Sequence, residues 1–320
     1  MVPSKDVNIH IADHGAWSSK GKRKAQEDAF GEFRTNLEQH ISKGSHLTIA
    51  SILVLHEIHD TKDRSVLVAG VMDGHGGTSA SAKVSEELPS LLTNQLIVNR
   101  RSVPEALEDS WEIICNSYRQ QCENEEACSA DYDPREGILM ANTGSEDLVA
   151  GTTASVLALD ERTSKLSILN CGDSRSLVVS SEGKVKFATV DHTPQSEQQR
   201  LQEGVEAGLD YSLPQCRISK WWLSVGDYQY AVGRSLEGPF ATSKGIVSDP
   251  DISTFPVEAG QILLSASDGL WEVMDSGEVA IDLYKMRKQR VPAREAARTL
   301  CSMALRKGTP DNVSAVVVYL

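Results

Sequence analysis

Four aspartates stand at the ends of apolar runs: Asp73 follows SVLVAGVM, Asp173 follows LSILNCG, Asp268 follows QILLSAS, and Asp311 precedes the last apolar run. An acid beside glycine at a strand mouth lets the backbone turn and points a carboxylate out of the sheet. One such Asp-Gly is only a turn. Four aspartates at strand ends, joined by the consecutive Glu27-Asp28, are more than turns require, because converging carboxylates repel one another unless a cation sits among them. Oxygen donors without histidine or cysteine partners select Mg²⁺ or Mn²⁺ over zinc. Two such ions, about 3.5–4 Å apart, orient a water, raise its acidity and clamp a phosphoryl group. Arg23, four residues before Glu27, has the planar fork that grips phosphate. His75, two residues after Asp73, is placed to protonate a leaving alkoxide. Hydrolysis of a phosphate monoester is slow enough uncatalysed to call for electrostatic help of this kind.

These side chains need strands to carry them. Ser65 to Met72 is continuously apolar and β-branched, as a strand buried on both faces should be. Helices are expected after Asp73-Gly74-His75-Gly76-Gly77. Ser102-x-x-Glu105 is a capping box, and Leu107, Trp111, Ile114, Tyr118 and Cys122 recur at helical spacing. Residues 123–150 are acidic and read as an irregular solvated loop. Short Val-, Leu- and Thr-rich runs then follow at 152–159, 165–170, 176–179 and 184–190, separated by turn residues, which predicts antiparallel sheet. Thr193-Pro194 reads as the start of a short helix stopped by Gly204. Residues 204–245 read as an irregular flap containing Trp221-Trp222. A strand at 261–266, helices from Asp275 and from Pro292 to Lys307, and a terminal strand at 312–320 complete an α+β chain.

The chain has 320 residues, 40% of them hydrophobic and 24% charged, enough for a sizeable core and unlike a disordered polymer. Its net charge of −13 counts against a nucleic-acid partner. No apolar run reaches the roughly 18 residues of a membrane span. The start has neither an apolar signal core nor the acid-poor composition of a transit peptide, so the expected location is cytoplasm or nucleus, with an organelle as the alternative if a leader has been trimmed. The six cysteines form no C-x-x-C pair and are expected to be free thiols.

The ordered set Arg23-x-x-x-Glu27-Asp28, Asp73-Gly74-His75-Gly76-Gly77, Gly151-Thr152-Thr153-Ala154, Gly172-Asp173-Ser174-Arg175, Asp191-His192-x-Pro194, Ser267-Asp268-Gly269-Leu270-Trp271 and Asp311-Asn312 resembles the metal-dependent type 2C protein phosphatases. The resemblance runs from Arg23 to the C-terminus. It implies an α-β-β-α sandwich, two packed antiparallel sheets flanked by helices, forming one catalytic domain over 1–320 with its core at roughly 10–320. It further implies a serine/threonine protein phosphatase acting on phosphoproteins, with two Mg²⁺ or Mn²⁺ ions and direct attack of a metal-bridging hydroxide. On that resemblance Asp73 bridges the ions and the Gly74 carbonyl binds one. Asp268 and Asp311 complete the other ion's shell, while Glu27 and Asp28 act largely through bound water. Arg23 holds the phosphate and His75 is the general acid. The chain is expected to act as a monomer.

Three departures mark this chain. Glu272 stands where the family often has aspartate, so Asp173 and Glu272 are candidates for a weaker third ion. Thr193 replaces the lysine of Asp-His-Lys-Pro. Ala231-Val232-Gly233-Arg234-Ser235-Leu236-Glu237-Gly238 resembles Ala-Val-Ser-Arg-Ala-Leu-Gly-Asp with an altered end. A pseudophosphatase scaffold that binds phosphoproteins without turnover is the alternative. It predicts lost ligands, whereas Glu27, Asp28, Asp73, Asp268 and Asp311 are all present.

Overall fold

The computed structural model describes residues 9–21, 29–30, 52–59, 65–124, 130–133, 138–141, 150–206, 222–225, 228–238, 241–242 and 245–320. Two sheets face each other. One has five strands in the order Asp13–Ser19, Val313–Tyr319, Ile262–Ala266, Arg175–Val179 and Val185–Ala188. The other has six, in the order Asp251–Pro256, Lys165–Cys171, Ala154–Asp160, Ser65–Met72, Ile52–His59 and Ala29–Phe30. All pairings within them are antiparallel except the short one between Ala29–Phe30 and Ile52–Leu53, which is parallel.

The period-2 geometry of a strand explains why the central runs are apolar throughout. In Ser65–Met72, the side chains of Val66, Val68 and Met72 pack with Val84, Leu88, Leu107 and Ile114 of helices Ser79–Thr93 and Val103–Asn124. Leu67, Ala69 and Val71 turn the other way, towards Val316, Val318 and Leu263 of the opposite sheet. The terminal strand does the same in mirror fashion: Val313, Ala315 and Val317 meet helices Ser276–Lys288 and Ala293–Lys307. Four layers result, with helices outside and sheets inside, the α-β-β-α sandwich expected.

Near one end of the sandwich the contact between sheets turns polar. Ser155 Oγ and Ser176 Oγ lie 2.8 Å apart, Thr153 Oγ1 and Ser174 Oγ 2.8 Å, and the Ser265 hydroxyl donates to the Ser155 carbonyl at 2.8 Å. All five side chains are buried.

Several local expectations hold in detail. The Ser102 N–H and hydroxyl both donate to Glu105 (3.0 and 2.7 Å), one half of a capping box. Asp275 accepts from the Gly277 N–H at 2.7 Å, and Gly308 closes the last helix at φ 94°, where a side chain would be strained.

Others are corrected. Residues 123–150 are not wholly irregular, since Ala130–Asp133 pairs with Ile138–Ala141; the acidic side chains hid a hairpin. The 204–245 segment likewise holds a hairpin, Leu223–Val225 with Tyr228–Tyr230. Thr193-Pro194 opens a turn and the helix proper is Gln198–Glu206, running through Gly204. One helical glycine costs about 1 kcal/mol against alanine, too little to stop a helix anchored elsewhere. Here Arg200 supplies the anchor, donating to the carbonyls of Gly233 and Gly245. The strand Asp251–Pro256 was not anticipated: it lies at a sheet edge with none of its residues buried, so its sequence carries no apolar run.

Candidate metal centre

The register of the strands brings the four aspartates to the same end of the sandwich. Asp73 leaves the Ser65–Met72 strand with its backbone held at two points: its N–H donates to Thr153 Oγ1 (3.2 Å), and its carbonyl accepts from the Thr153 N–H (2.8 Å). The same Thr153 hydroxyl meets Ser174, the residue after Asp173. Arg175 pairs with Ala266, so Asp173 and Asp268 each lie two residues beyond the same ladder pair. From there the Ser267 N–H donates to the Ser314 carbonyl and the Ser314 N–H to Ser267 Oγ, both at 3.0 Å. Asp268 then opens a one-turn helix, Asp268–Trp271.

Close backbone packing explains two of the glycines. A Cβ on Gly269 would lie 1.9 Å from the Asn312 carbonyl oxygen, and one on Gly21 would lie 2.1 Å from that of Asp311. Gly21 also donates its N–H to Asn312 Oδ1 at 3.1 Å. Thus the Asp268-Gly269 turn and the loop before Arg23 both press on Asp311-Asn312. Asp311 accepts from the Asn312 N–H (2.8 Å) and is 8% exposed, as is Asp173. Asp73 and Asp268 are half-buried, and Gly74 is buried. Glu272 is exposed, one turn after Asp268, with its N–H donating to the Asp268 carbonyl. Arg23, Glu27 and Asp28 lie outside the described residues, as does Trp221.

This donor set is carboxylate and carbonyl oxygen, the chemistry of a hard divalent cation, and in that respect it fits Mg²⁺ or Mn²⁺. No group of three His, Cys, Asp or Glu side chains among the described residues is gathered closely enough to hold an ion by itself.

The surroundings are fixed by ion pairs set back from the aspartates. Arg175 forks onto Asp191 (2.8 and 2.6 Å), donates to Ser276 (3.0 Å) and lies over the Trp271 ring at 5.0 Å. Burial works against the Arg175 charge, but Asp191, Asp275 and Asp173 outweigh it and hold the guanidinium pKa above its ordinary value. Asp191-His192 is structural. The His192 ring is buried, its Nδ1 accepts from the Gly172 N–H (3.1 Å), and its Nε2 lies 3.1 Å from Asp251. Burial lowers its pKa despite the Asp251 contact. Four cysteines among the described residues, Cys115, Cys122, Cys171 and Cys301, are free and buried.

The sequence reading missed one residue. Glu237 is 2% exposed and its Oε1 lies 2.5 Å from His75 Nε2. The signal available was the altered end of the Ala231–Gly238 segment, which puts glutamate where the family pattern has glycine.

An α-β-β-α sandwich with aspartates gathered at one end of its strands is the architecture of the metal-dependent serine/threonine protein phosphatases. The protein phosphatase 2C family profile matches residues 27–313, and the chain belongs to that family. A probable protein phosphatase 2C 62 from Oryza sativa subsp. japonica is 27% identical over 315 residues, covering 98% of this chain and 94% of that relative. A probable protein phosphatase 2C 61 from Arabidopsis thaliana is 29% identical, covering 83% of this chain and 79% of that one. The crystal structure of serine-threonine phosphatase 2C from Toxoplasma gondii superposes with a TM-score of 0.69 at 19% identity, covering 98% and 96% of the two chains. No helix among the described residues is long and apolar enough to cross a membrane.

Proposed function

We propose that the chain removes phosphate from phosphoserine and phosphothreonine in proteins, as a monomer in the cytoplasm or nucleus, using two Mg²⁺ or Mn²⁺ ions. The observation that carries this reading is the convergence of Asp73, Asp173, Asp268 and Asp311 on one end of the sandwich through Thr153, Ser174 and Ser267. Asp73, the Gly74 carbonyl, Asp268 and Asp311 would hold the ions, with Glu27 and Asp28 contributing through water. Asp173 and Glu272 are the candidates for a weaker third ion. When bound, the cations supply the charge that acidifies the attacking water and neutralises the phosphoryl oxygens.

The chain's own residues do the rest. Arg23 grips the phosphate through its guanidinium fork and fixes its orientation. His75 gives a proton to the departing serine or threonine oxygen. The rigid backbone at Asp73 keeps its carboxylate pre-set, so little reorganisation accompanies the reaction. The test is hydrolysis of a phosphothreonine peptide in EDTA, Mg²⁺ and Mn²⁺ in parallel. Turnover that requires the cation supports the reading, and turnover undiminished by EDTA refutes the ligand assignment.

A further inference from the structure

Three short backbone segments lie side by side at the edge of the site. Gly74 pairs with Thr152 and His75 with Gly151, while Thr152 pairs with Leu236 through hydrogen bonds in both directions, each 2.9 Å. The antiparallel register then sets His75, Gly151 and Glu237 abreast. Residues in register two strands apart are separated by about 9–10 Å at the backbone, so their side chains meet only if the middle residue leaves room. Gly151 leaves it. A Cβ there would lie 2.3 Å from both His75 Nε2 and Glu237 Oε1.

The carboxylate that reaches across is built into the fold. Glu237 Oε1 accepts from the buried Ser235 hydroxyl at 2.6 Å as well as facing His75 Nε2 at 2.5 Å. Among the described residues, His75 is the basic side chain paired with it. Withdrawing a carboxylate from water costs several kcal/mol unless partners compensate, so a glutamate 2% exposed beside one histidine and one serine calls for a reason.

We propose that Glu237 is a positioning residue for His75: across Gly151, its carboxylate accepts the Nε2–H of the imidazolium and fixes the rotation of the ring, leaving the Nδ1–H as the proton that passes to the departing oxygen. This rests on the phosphatase reading and on His75 as its general acid, and it adds a residue that the family pattern does not supply. A carboxylate holding one nitrogen of a catalytic imidazole does the same in hydrolases of unrelated fold. Glu237 itself touches no substrate. Its effect runs through the ring, so it is felt where the leaving oxygen needs a proton and little where it does not.

The experiment compares wild type, Glu237→Leu, Glu237→Gln, His75→Ala and the His75→Ala/Glu237→Leu double variant. Each is assayed in Mn²⁺ on a phosphothreonine peptide and on p-nitrophenyl phosphate, whose leaving group departs without a proton. Leucine keeps the volume and removes the acceptor, while glutamine keeps the shape. Glu237→Leu is expected to lower kcat on the peptide about tenfold or more with KM within about twofold, and to cost at least about fivefold less on p-nitrophenyl phosphate. Glu237→Gln, which loses the charge and can turn an amide N–H towards the ring, is expected to lose peptide activity in the same leaving-group-dependent way, and Glu237→Leu to add nothing in the His75→Ala background. Equal losses on both substrates, a further loss in the double variant, or a Glu237→Leu enzyme as fast as wild type on the peptide would overturn the proposal. If Glu237→Leu fails to fold, Glu237→Gln decides: equal losses on the two substrates, or no loss on the peptide, in a folded glutamine variant also overturns it. A wild-type protein that hydrolyses neither substrate would instead overturn the phosphatase reading.

Discussion

Thr153→Val asks whether the hydroxyl between Asp73 and Asp173 holds the site together. The substitution keeps the side chain's shape and removes one atom. That atom accepts from the Asp73 N–H at 3.2 Å and meets the Ser174 hydroxyl at 2.8 Å, and Thr153 is 3% exposed. Valine therefore deprives two groups of a partner in a place that water hardly reaches. A buried donor or acceptor left unmatched costs about 1–3 kcal/mol. The Asp73 contact is long and the Ser174 hydroxyl can rotate, so the pair together is expected to cost about 2–4 kcal/mol. With about 2.1 cal/mol/K of unfolding entropy per residue over 320 residues, each kcal/mol moves Tm by about 1.5 °C, which predicts a drop of about 3–6 °C. Thr153→Ser is the control. It keeps the oxygen, loses one methyl group and is expected to cost about 1 kcal/mol. Thermal melts report the stability, and Mn²⁺-dependent hydrolysis of a phosphopeptide reports the site, where Thr153→Val is expected to lose more turnover than Thr153→Ser. A valine variant no less stable than the serine variant would refute the reasoning.

Asp73→Asn and Asp268→Asn are each expected to abolish metal-dependent phosphopeptide turnover while leaving the circular dichroism spectrum unchanged; near-normal activity in either would remove it from the ligand set. Arg175→Lys loses the fork onto Asp191 and the stacking on Trp271, and is expected to destabilise the fold by about 1–3 kcal/mol in chemical denaturation. The pH dependence of stability carries a histidine signature. His192 has a folded pKa below its ordinary 6.5, so its contribution is complete above that value and is lost as pH falls through the lower, folded pKa. His192→Asn is expected to flatten the decline in Tm between pH 6.5 and lower values, with His192 contributing at most about 1.4 kcal/mol per pH unit. An unchanged slope would show that other groups govern acid unfolding.

The central strands and the aspartates were legible because each is a local pattern. A run such as SVLVAGVM carries its own two-faced burial, and an Asp-Gly at its end carries its own turn. What lies at polar edges was not legible. Asp251–Pro256 pairs with Lys165–Cys171 along one side only, and Ala130–Asp133 is half acidic, so neither announces itself by hydrophobicity. The partnership of His75 with Glu237 lay further out of reach. It depends on three segments separated by more than seventy residues falling into one register, with the glycine in the middle one. No spacing within a single segment records that.

The serines and threonines between the two sheets have a consequence for how accurately this enzyme can be assembled. Methyl groups are indifferent to which neighbour they touch, so two apolar sheets could slip over one another at modest cost. Hydroxyls have no such tolerance. A slip by one residue pair, about 6–7 Å along the strands, would part Thr153 from Ser174, Ser155 from Ser176 and Ser265 from the Ser155 carbonyl at a single stroke. They work as the teeth of a key, admitting one docking of the two halves. Asp73 on one sheet and Asp268 on the other inherit their alignment from that fit.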